Sequence, residues 1–317
     1  MNIAIASGKG GTGKTTIATS LVISLKDAVY LDGDVEETDG HLFLKPVIER
    51  ISEAVCPLPE IDEQKCNLCG KCVEVCQFHA LAILPQKVLL FEEMCHSCGA
   101  CAYSCPEQAI QEKEKPIGVI RCGYFLPEEN GFIEGRLSIG EMMTTPLIRQ
   151  VKELIDPQKI NIVDAPPGTA CSMVEAVRDA DYCLLVTEPT AFGLHDLKLG
   201  VKVLRTLQRP FAVLENKAVY HNNLITNYCL TEGIPLLLRI PFNRHLAEAY
   251  SRGDAAVRIF PHLKREFLLL YNRILYHLQT GKIFNDDSII PLELAGYTQS
   301  NDMEMENIFP KDNRRQS

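Results

Sequence analysis

The sequence predicts an α/β fold built on a mostly parallel sheet and interrupted by a small inserted α+β domain, and three observations predict it. Short apolar runs alternate with helical stretches over most of the 317 residues. A glycine-rich turn, within "SGKGGTGKTT" from Ser7 to Thr16, follows the first of those runs directly. Eight of the 13 cysteines fall between Cys66 and Cys105 in two similar units, and there the alternation stops.

Taken in order, Asn2 to Ala6 reads as a buried strand ending at the glycine turn, Thr15 to Leu25 has helical spacing, and "AVYLDGD" (Ala28 to Asp34) is a second strand ending in acids. The alternation resumes with "INIVDAPPG" from Ile160, "YCLLVTEPT" from Tyr182 and a helical stretch from Leu194 to Gln208. Next come "FAVLENK" from Phe211, a helix around Asn222 to Leu230, "PLLLRIP" from Pro235 and two more helices, the last near Leu263 to Leu278. Brief apolar strands between helices are what a parallel sheet covered on both faces produces.

The interruption is an internal repeat. "CNLCGKCVEVCQFHA" from Cys66 and "CHSCGACAYSCPEQA" from Cys95 align at an offset of 29 residues. This predicts a host domain of residues 1–58 and 116–281, an insert of residues 59–115, and an acidic, aperiodic tail of residues 282–317.

Bulk properties exclude several classes. Asp and Glu outnumber Lys and Arg by 41 to 32, and no basic block exceeds Arg314-Arg315, so the phosphate-neutralising face that nucleic acid needs is missing. The N-terminus lacks the charged n-region of a signal peptide. The apolar patch "FLLLYNRIL" is too short and interrupted to span a bilayer. A cytoplasmic location is expected, and cysteines in such a chain point to metal chemistry rather than disulfides.

The turn fits G-x-x-x-x-G-K-[ST] from Gly8 to Thr15. Backbone N–H groups from Gly10 to Thr15 can wrap an anion only where Cβ atoms are absent, and the following helix aims its positive end at the phosphates. Gly8, Gly10, Gly11, Thr12, Gly13, Lys14, Thr15 and Thr16 are the expected cradle for ATP or ADP, with Lys14 on the β/γ-phosphates and the Thr15 hydroxyl on Mg²⁺. Lys9 is a lysine beyond what this loop needs. Asp32, Asp34 and Asp164 end strands, where carboxylates suit a hard cation. For Asp32 or Asp34 alone, a cap or turn role competes.

The cysteine spacing C-x₂-C-x₂-C-x₃-C occurs twice. Three cysteines at x₂ spacing fit the corners of a cubane, whereas structural zinc takes separated C-x₂-C pairs. The pattern resembles bacterial two-cluster ferredoxins, in which the fourth cysteine of each run ligates the other cluster. That resemblance implies one 4Fe-4S cluster on Cys66, Cys69, Cys72 and Cys105, and a second on Cys95, Cys98, Cys101 and Cys76. Pro106 follows Cys105 as the pattern expects, but Gln77 follows Cys76, which predicts a more hydrated second cluster. His79 and His96 are expected outside the ligand sets.

The form Lys-Gly-Gly-Thr-Gly-Lys-Thr, Lys9 to Thr15, resembles the deviant Walker A of MinD/ParA ATPases and the nitrogenase iron protein. The resemblance implies that Lys9 crosses a face-to-face dimer to the other subunit's ATP. "LDGDVEETDG" is similar to the family's switch I, with Asp34 orienting the attacking water and Asp32 supporting the metal. "VDAPPG" is similar to Walker B and switch II, Asp164 holding Mg²⁺ and Gly168 sensing the γ-phosphate. Asn216-Lys217, closing the "FAVLEN" strand, resembles the family's adenine-recognition position, though an Asn closing a strand is usually just a turn residue.

Over Met1 to Gly281, including "TEPTAFGLHDL" from Thr187, the chain resembles MinD-superfamily P-loop ATPases with an inserted ferredoxin domain. This implies an ATPase working as a homodimer or as a heterodimer with a related ATPase, and a redox or apo-protein partner. Three functions are open: an ATP-gated electron carrier, an iron-sulfur assembly factor resembling Mrp-type carriers, and a spatial organiser in the MinD sense. A basic amphipathic C-terminal helix is missing, which counts against the third. The C-terminal C-x-x-C of Mrp carriers is missing too, which counts against the second. The electron carrier is favoured. Cys171, with Cys122, is a candidate for a third, bridging cluster, against the plainer reading of a small buried cysteine opening a helix.

Overall fold

The computed structural model describes residues 1–282; the acidic tail, Lys282 apart, lies outside the described residues. In chain order the strands are β1 (Asn2–Ala6), β2 (Ala28–Asp32), β3 (Val47–Ile61), β4 (Leu81–Ile83), β5 (Val88–Leu90), β6 (Ile110–Phe125), β7 (Asn130–Leu137), β8 (Ile160–Asp164), β9 (Tyr182–Thr187), β10 (Phe211–Ala218) and β11 (Leu236–Pro241). Nine of them form one sheet in the order β11-β10-β9-β1-β8-β2-β7-β6-β3, and β4 and β5 form a separate hairpin. Every pairing from β11 across to β7 is parallel. The last two, β7 with β6 and β6 with β3, are antiparallel.

The parallel part is buried on both faces, as its apolar runs require. Side chains alternate across β1: Ile3 and Ile5 join a core with Ile17, Leu21, Tyr30, Phe267 and Leu270, while Ala4 and Ala6 join the opposite layer with Leu147, Met173, Leu197 and Ile225. The first layer is covered by helices Lys14–Ser24 and Leu263–Thr280, the second by Thr144–Lys152, Cys171–Val177, Ala191–Thr206 and Leu224–Glu232. Among the described residues, no helix is long and apolar enough to cross a membrane.

Strands β3, β6 and β7 have no counterpart in the pattern of short apolar runs. β3 and β6 form a long two-stranded ribbon, paired from Val47↔Tyr124 to Ile61↔Ile110. Stretches such as "VIERISE" and "IQEKEKP" mix charges with apolar residues because much of the ribbon is solvated, and Pro57 and Pro59 fall on β3, an edge strand where a missing N–H is tolerated. The expected boundaries at residues 59 and 115 therefore fall inside continuous strands. The cysteine-bearing segment, expected as an insert, grows out of the sheet itself.

Beyond the ribbon lie helices Lys71–Val75 and Ala100–Ser104, the β4–β5 hairpin and a small core of Cys72, Leu81, Val88 and Ile110. The sequence repeat is also a backbone repeat at the same offset. Leu68 and Ser97 have φ 59° and 51°, Gly70 and Gly99 have 81° and 72°, and His79 and Gln108 have 53° and 49°.

Candidate functional site

Because β1, β2, β7, β8, β9, β10 and β11 run parallel, their carboxyl ends share one edge, where ligands of open α/β sheets bind. The glycine loop follows β1 on that edge. Helix Lys14–Ser24 starts at Gly13 (φ 94°) with no side-chain cap, so its first N–H groups are left for an anion. The glycines are needed for space as well as conformation. A Cβ at Gly8 would stand 2.2 Å from the Asp196 carbonyl oxygen, and one at Gly13 would stand 2.3 Å from Asn216 Nδ2.

Lys14 is 7% exposed and faces a buried acidic group. Asp32 and Asp164, each 1% exposed, are direct partners across β2 and β8. The Tyr30 hydroxyl lies between them, 3.0 Å from Asp164 Oδ2 and 3.4 Å from Asp32 Oδ2. Burial, and then Asp164, push Asp32 well above the usual carboxylate range. Burial also raises Asp164, while Lys14 and the Thr15 and Tyr30 hydroxyls hold it down.

Two details fit a magnesium nucleotide here. Asp164 Oδ1 and Thr12 Oγ1 are buried without a hydrogen-bond partner, and a hard cation is satisfied by oxygen ligands of this kind. Asp32 has less to offer, because it already accepts from the backbone N–H groups of Asp34 (3.2 Å) and Gly40 (3.1 Å). Asp34 is half-buried, and burial raises its carboxyl to about 7 against the lowering effect of Lys14. A carboxylate titrating near neutrality is suited to holding a water proton. Gly168 (φ 93°) ties the segment after β8 to the loop, its N–H donating to the Ser7 carbonyl at 3.0 Å.

The extra lysine has a partner in its own chain. Lys9 Nζ donates to the Glu188 carboxylate, which also pairs with Lys217 Nζ at 3.3 Å, and Lys217 donates to the Gly11 carbonyl at 2.7 Å. Asn216 braces the loop, its Nδ2 donating to the Thr12 carbonyl at 2.8 Å. In this arrangement its amide is engaged by protein rather than turned outward to a base. Glu188 and Tyr30 were not singled out by motif; the signal available for Glu188 was its place just past the carboxyl end of β9. Glu134 was missed along with β7. It is fully buried opposite Asp32 and is neutralised by Arg121 at 2.7 Å and Arg136 at 3.4 Å, with His41 at 3.0 Å. The same edge exposes Phe192 (78%) after β9, Tyr220 (83%) after β10 and Ile139 (107%) after β7.

In the insert, Cys66, Cys69, Cys72 and Cys105 line one cavity. Cys76, Cys95, Cys98 and Cys101 line a second. Each cavity takes three cysteines from one run and the fourth from the other. Backbone N–H groups donate to sulfur at equivalent places, Ala80 to Cys76 and Ala109 to Cys105, both at 3.3 Å. Among the described residues, no three His, Cys, Asp or Glu converge closely enough for a single metal ion; the cysteines surround a space instead. Beside Gln77 the lining includes Phe78 stacked on His96 (ring centroids 3.8 Å apart), Leu81 and Leu90, an apolar wall where the missing proline suggests water. His79 lines neither cavity. Cys171 opens its helix exposed rather than buried, and Cys122 lies on the ribbon near Arg50, whose Nη2 is 3.5 Å from its sulfur.

Comparison with known proteins shows the family. The chain is 31% identical to an uncharacterized protein of Methanocaldococcus jannaschii, over 81% of this chain and 92% of that one. It is 23% identical to the iron-sulfur cluster carrier protein of Aquifex aeolicus, over 82% of this chain and 62% of the carrier. The septum site-determining protein MinD of Pyrococcus horikoshii, solved with Mg-ADP, superimposes with a TM-score of 0.54 at 18% identity, covering 85% of this chain and 93% of MinD. Residues 3–257 match the CobQ/CobB/MinD/ParA nucleotide binding domain, and with the glycine loop and acid pair in place, the chain belongs to that family.

Proposed function

We propose that this chain is an ATPase carrying two 4Fe-4S clusters, in which nucleotide-driven dimerisation controls electron transfer through the insert. The observation that carries the reading is the crosswise filling of the two cysteine cavities, Cys105 completing the first run and Cys76 the second. This is the exchange that two cubanes on one repeat require. Bound clusters would supply one-electron chemistry, and the chain's own residues do the rest. The cysteines hold the irons, and the Ala80 and Ala109 N–H groups stabilise charge on Cys76 and Cys105.

At the sheet edge, the loop amides and Lys14 bind the phosphates, Asp164 holds Mg²⁺ with Thr15, and Asp34 orients the attacking water. Lys9, released from Glu188, reaches the phosphates of a second subunit. The exposed Phe192, Tyr220 and Ile139 on that edge support a dimer that covers it. Anaerobic iron and sulfide analysis tests the cluster reading: about eight irons per chain are expected, and zinc, or about four irons or fewer, overturns it. ATP turnover that rises with protein concentration tests the dimer.

A second reading, a cluster carrier, is favoured by the exposure of Cys69 and Cys98, one ligand in each set open to an acceptor, and by the carrier proteins among the relatives. Appearance of cluster on an added apo-ferredoxin, faster with Mg-ATP than with Mg-ADP, would favour it. A nucleotide-dependent potential with no transfer favours the electron carrier. A chain that localises with ATP while its clusters respond to nucleotide in neither way would be a MinD-like organiser.

A further inference from the structure

The two cysteine cavities differ in their surroundings. The Cys66, Cys69, Cys72 and Cys105 cavity is lined only by residues between Ile61 and Ile110. The other is lined also by Pro57, Pro59 and Glu112 of the ribbon, and its Cys95 packs against the layer of the main core that contains Cys56, Met143 and Leu147. One set is built within the insert, and the other abuts the body.

Lys115 sits at that junction. Its Nζ lies 3.2 Å from the carboxylate of Glu92, in the turn leading to Cys95, and 3.0 Å from that of Glu141. Glu141 in turn accepts from the backbone N–H groups of Met142 (2.9 Å) and Met143 (3.3 Å), at the entry to helix Thr144–Lys152. Met143 Sδ is 3.1 Å from the sulfur of Cys56, which is the residue paired with Lys115 across the ribbon. Further along the helix, Gln150 Nε2 donates to the Val55 carbonyl at 2.8 Å.

The far end of that helix packs on the helix that follows β8 and so connects, along that second helix, to the nucleotide side. Lys152 Nζ donates to the Glu175 carbonyl and to Asp179 at 3.0 Å, and Arg149 pairs with Glu175 at 3.5 Å. Glu175 belongs to helix Cys171–Val177, which starts just after Gly168, the residue bonded to Ser7 of the phosphate loop. A continuous series of packed contacts therefore runs from the loop to Cys95. Packed interfaces shift between discrete arrangements rather than deform smoothly, so a displacement at Gly168 has a direct route to one cysteine set and an indirect one, through the small core that both sets share, to the other.

We infer that Lys115 is a positioning residue that locks the Cys95 run to helix Thr144–Lys152 through Glu92 and Glu141, so that only the cluster on Cys76, Cys95, Cys98 and Cys101 responds to the bound nucleotide. The inference rests on the two-cluster reading, so iron content is measured first. Fewer than eight irons would count against that reading, whereas a full complement leaves the coupling to be judged by itself.

The test compares full-length protein in Mg-ATP and Mg-ADP, following iron removal by a chelator and the electron paramagnetic resonance of the reduced clusters. Cys69→Ser and Cys98→Ser variants assign the two signals. The nucleotide difference in iron loss is expected to be about five-fold or more, confined to the cluster that Cys98→Ser perturbs. Lys115→Met should cut it to less than about two-fold with iron content and ATP affinity retained, and Lys115→Arg should restore it. Glu141→Gln, which leaves the Glu92 pair intact, should act like Lys115→Met and serves if that variant misfolds. Equal responses from both clusters, no response from either, or an unchanged difference in Lys115→Met and Glu141→Gln overturns the inference.

Discussion

At the nucleotide edge, Asp32 and Asp164 lie 1% exposed against each other, held by strands from separate parts of the chain. In the insert, Cys69 and Cys98 stand exposed on loops, and the core behind both sets is Cys72, Leu81, Val88 and Ile110. The first site buries costly charge because a nine-stranded sheet with two apolar layers holds it in place before any ligand arrives. The second has no such reserve. On the proposed reading, a segment of about 50 residues with so small a core would depend on its clusters for its fold. One site would then be made by the fold, and the other would help to make it.

The largest expected effect follows from that contrast. Pairing Cys66→Ser with Cys95→Ser, or stripping iron anaerobically, should open residues 62–109 to protease and to hydrogen exchange while the main thermal transition stays in place. Cleavage that spread through the parallel strands, or an insert that stayed protected without iron, would break the comparison.

Next come the two lysines of the loop. Lys9→Ala should lower turnover by about 1,000-fold, the scale of a cation supplied in trans to a transferring phosphoryl group, while ATP still binds. Lys14→Ala should weaken ATP binding itself by about 10- to 100-fold, the loss of a charge-assisted contact. Calorimetric titration with turnover assays separates the two, and unimpaired turnover in Lys9→Ala would end the trans role. Neither change should alter protease resistance of the insert.

How legible each region was follows from the same difference. The glycine loop and the cysteine runs are local and carry fixed spacings, so the sequence displays them directly. The parallel strands could be read because burial on both faces leaves near-continuous apolar runs. Tyr30, Glu134 and Glu188 reach the acid pair or Lys9 through strand register and loop placement, which no spacing along the chain records. The ribbon was illegible for the opposite reason: its solvated faces mix charged residues into the strand pattern, and the reading depended on unbroken apolar runs. Asn216 shows a further limit, since a strand-end Asn braces the Thr12 carbonyl as readily as it would meet a base.

A smaller effect is expected at Glu188, where Lys9 and Lys217 converge. Glu188→Gln removes the carboxylate that holds Lys9 in its own subunit. As a partly solvated pair it contributes about 1 kcal/mol at most. Dimerisation should therefore need about three- to five-fold less ATP, as followed by light scattering. A greater ATP requirement would mean that Glu188 supports the productive position of Lys9.

The smallest effect is a pH dependence that tests how far the fold alone bears the burial of acid. Burial raises Asp34 first, Asp164, Glu37 and Glu36 add to it, Lys14 opposes it, and the result is about 7. In the unfolded chain an aspartate titrates near 3.9. Between about pH 4 and 7 the native state keeps a proton that the unfolded chain has released, so stability falls as pH rises through that window and levels off above it. Asp34 keeps contact with water, which limits the effect to about 1 kcal/mol. Asp34→Asn cannot titrate, whereas Asp32 and Asp164 do so in both proteins and largely cancel. Without magnesium or nucleotide, the variant should therefore gain on the native chain from pH 5 to about 7.5, by about 3 °C in Tm for a domain of this size. A gap independent of pH would mean that Asp34 is solvated before the nucleotide arrives, and that the fold bears only the charge of Asp32 and Asp164.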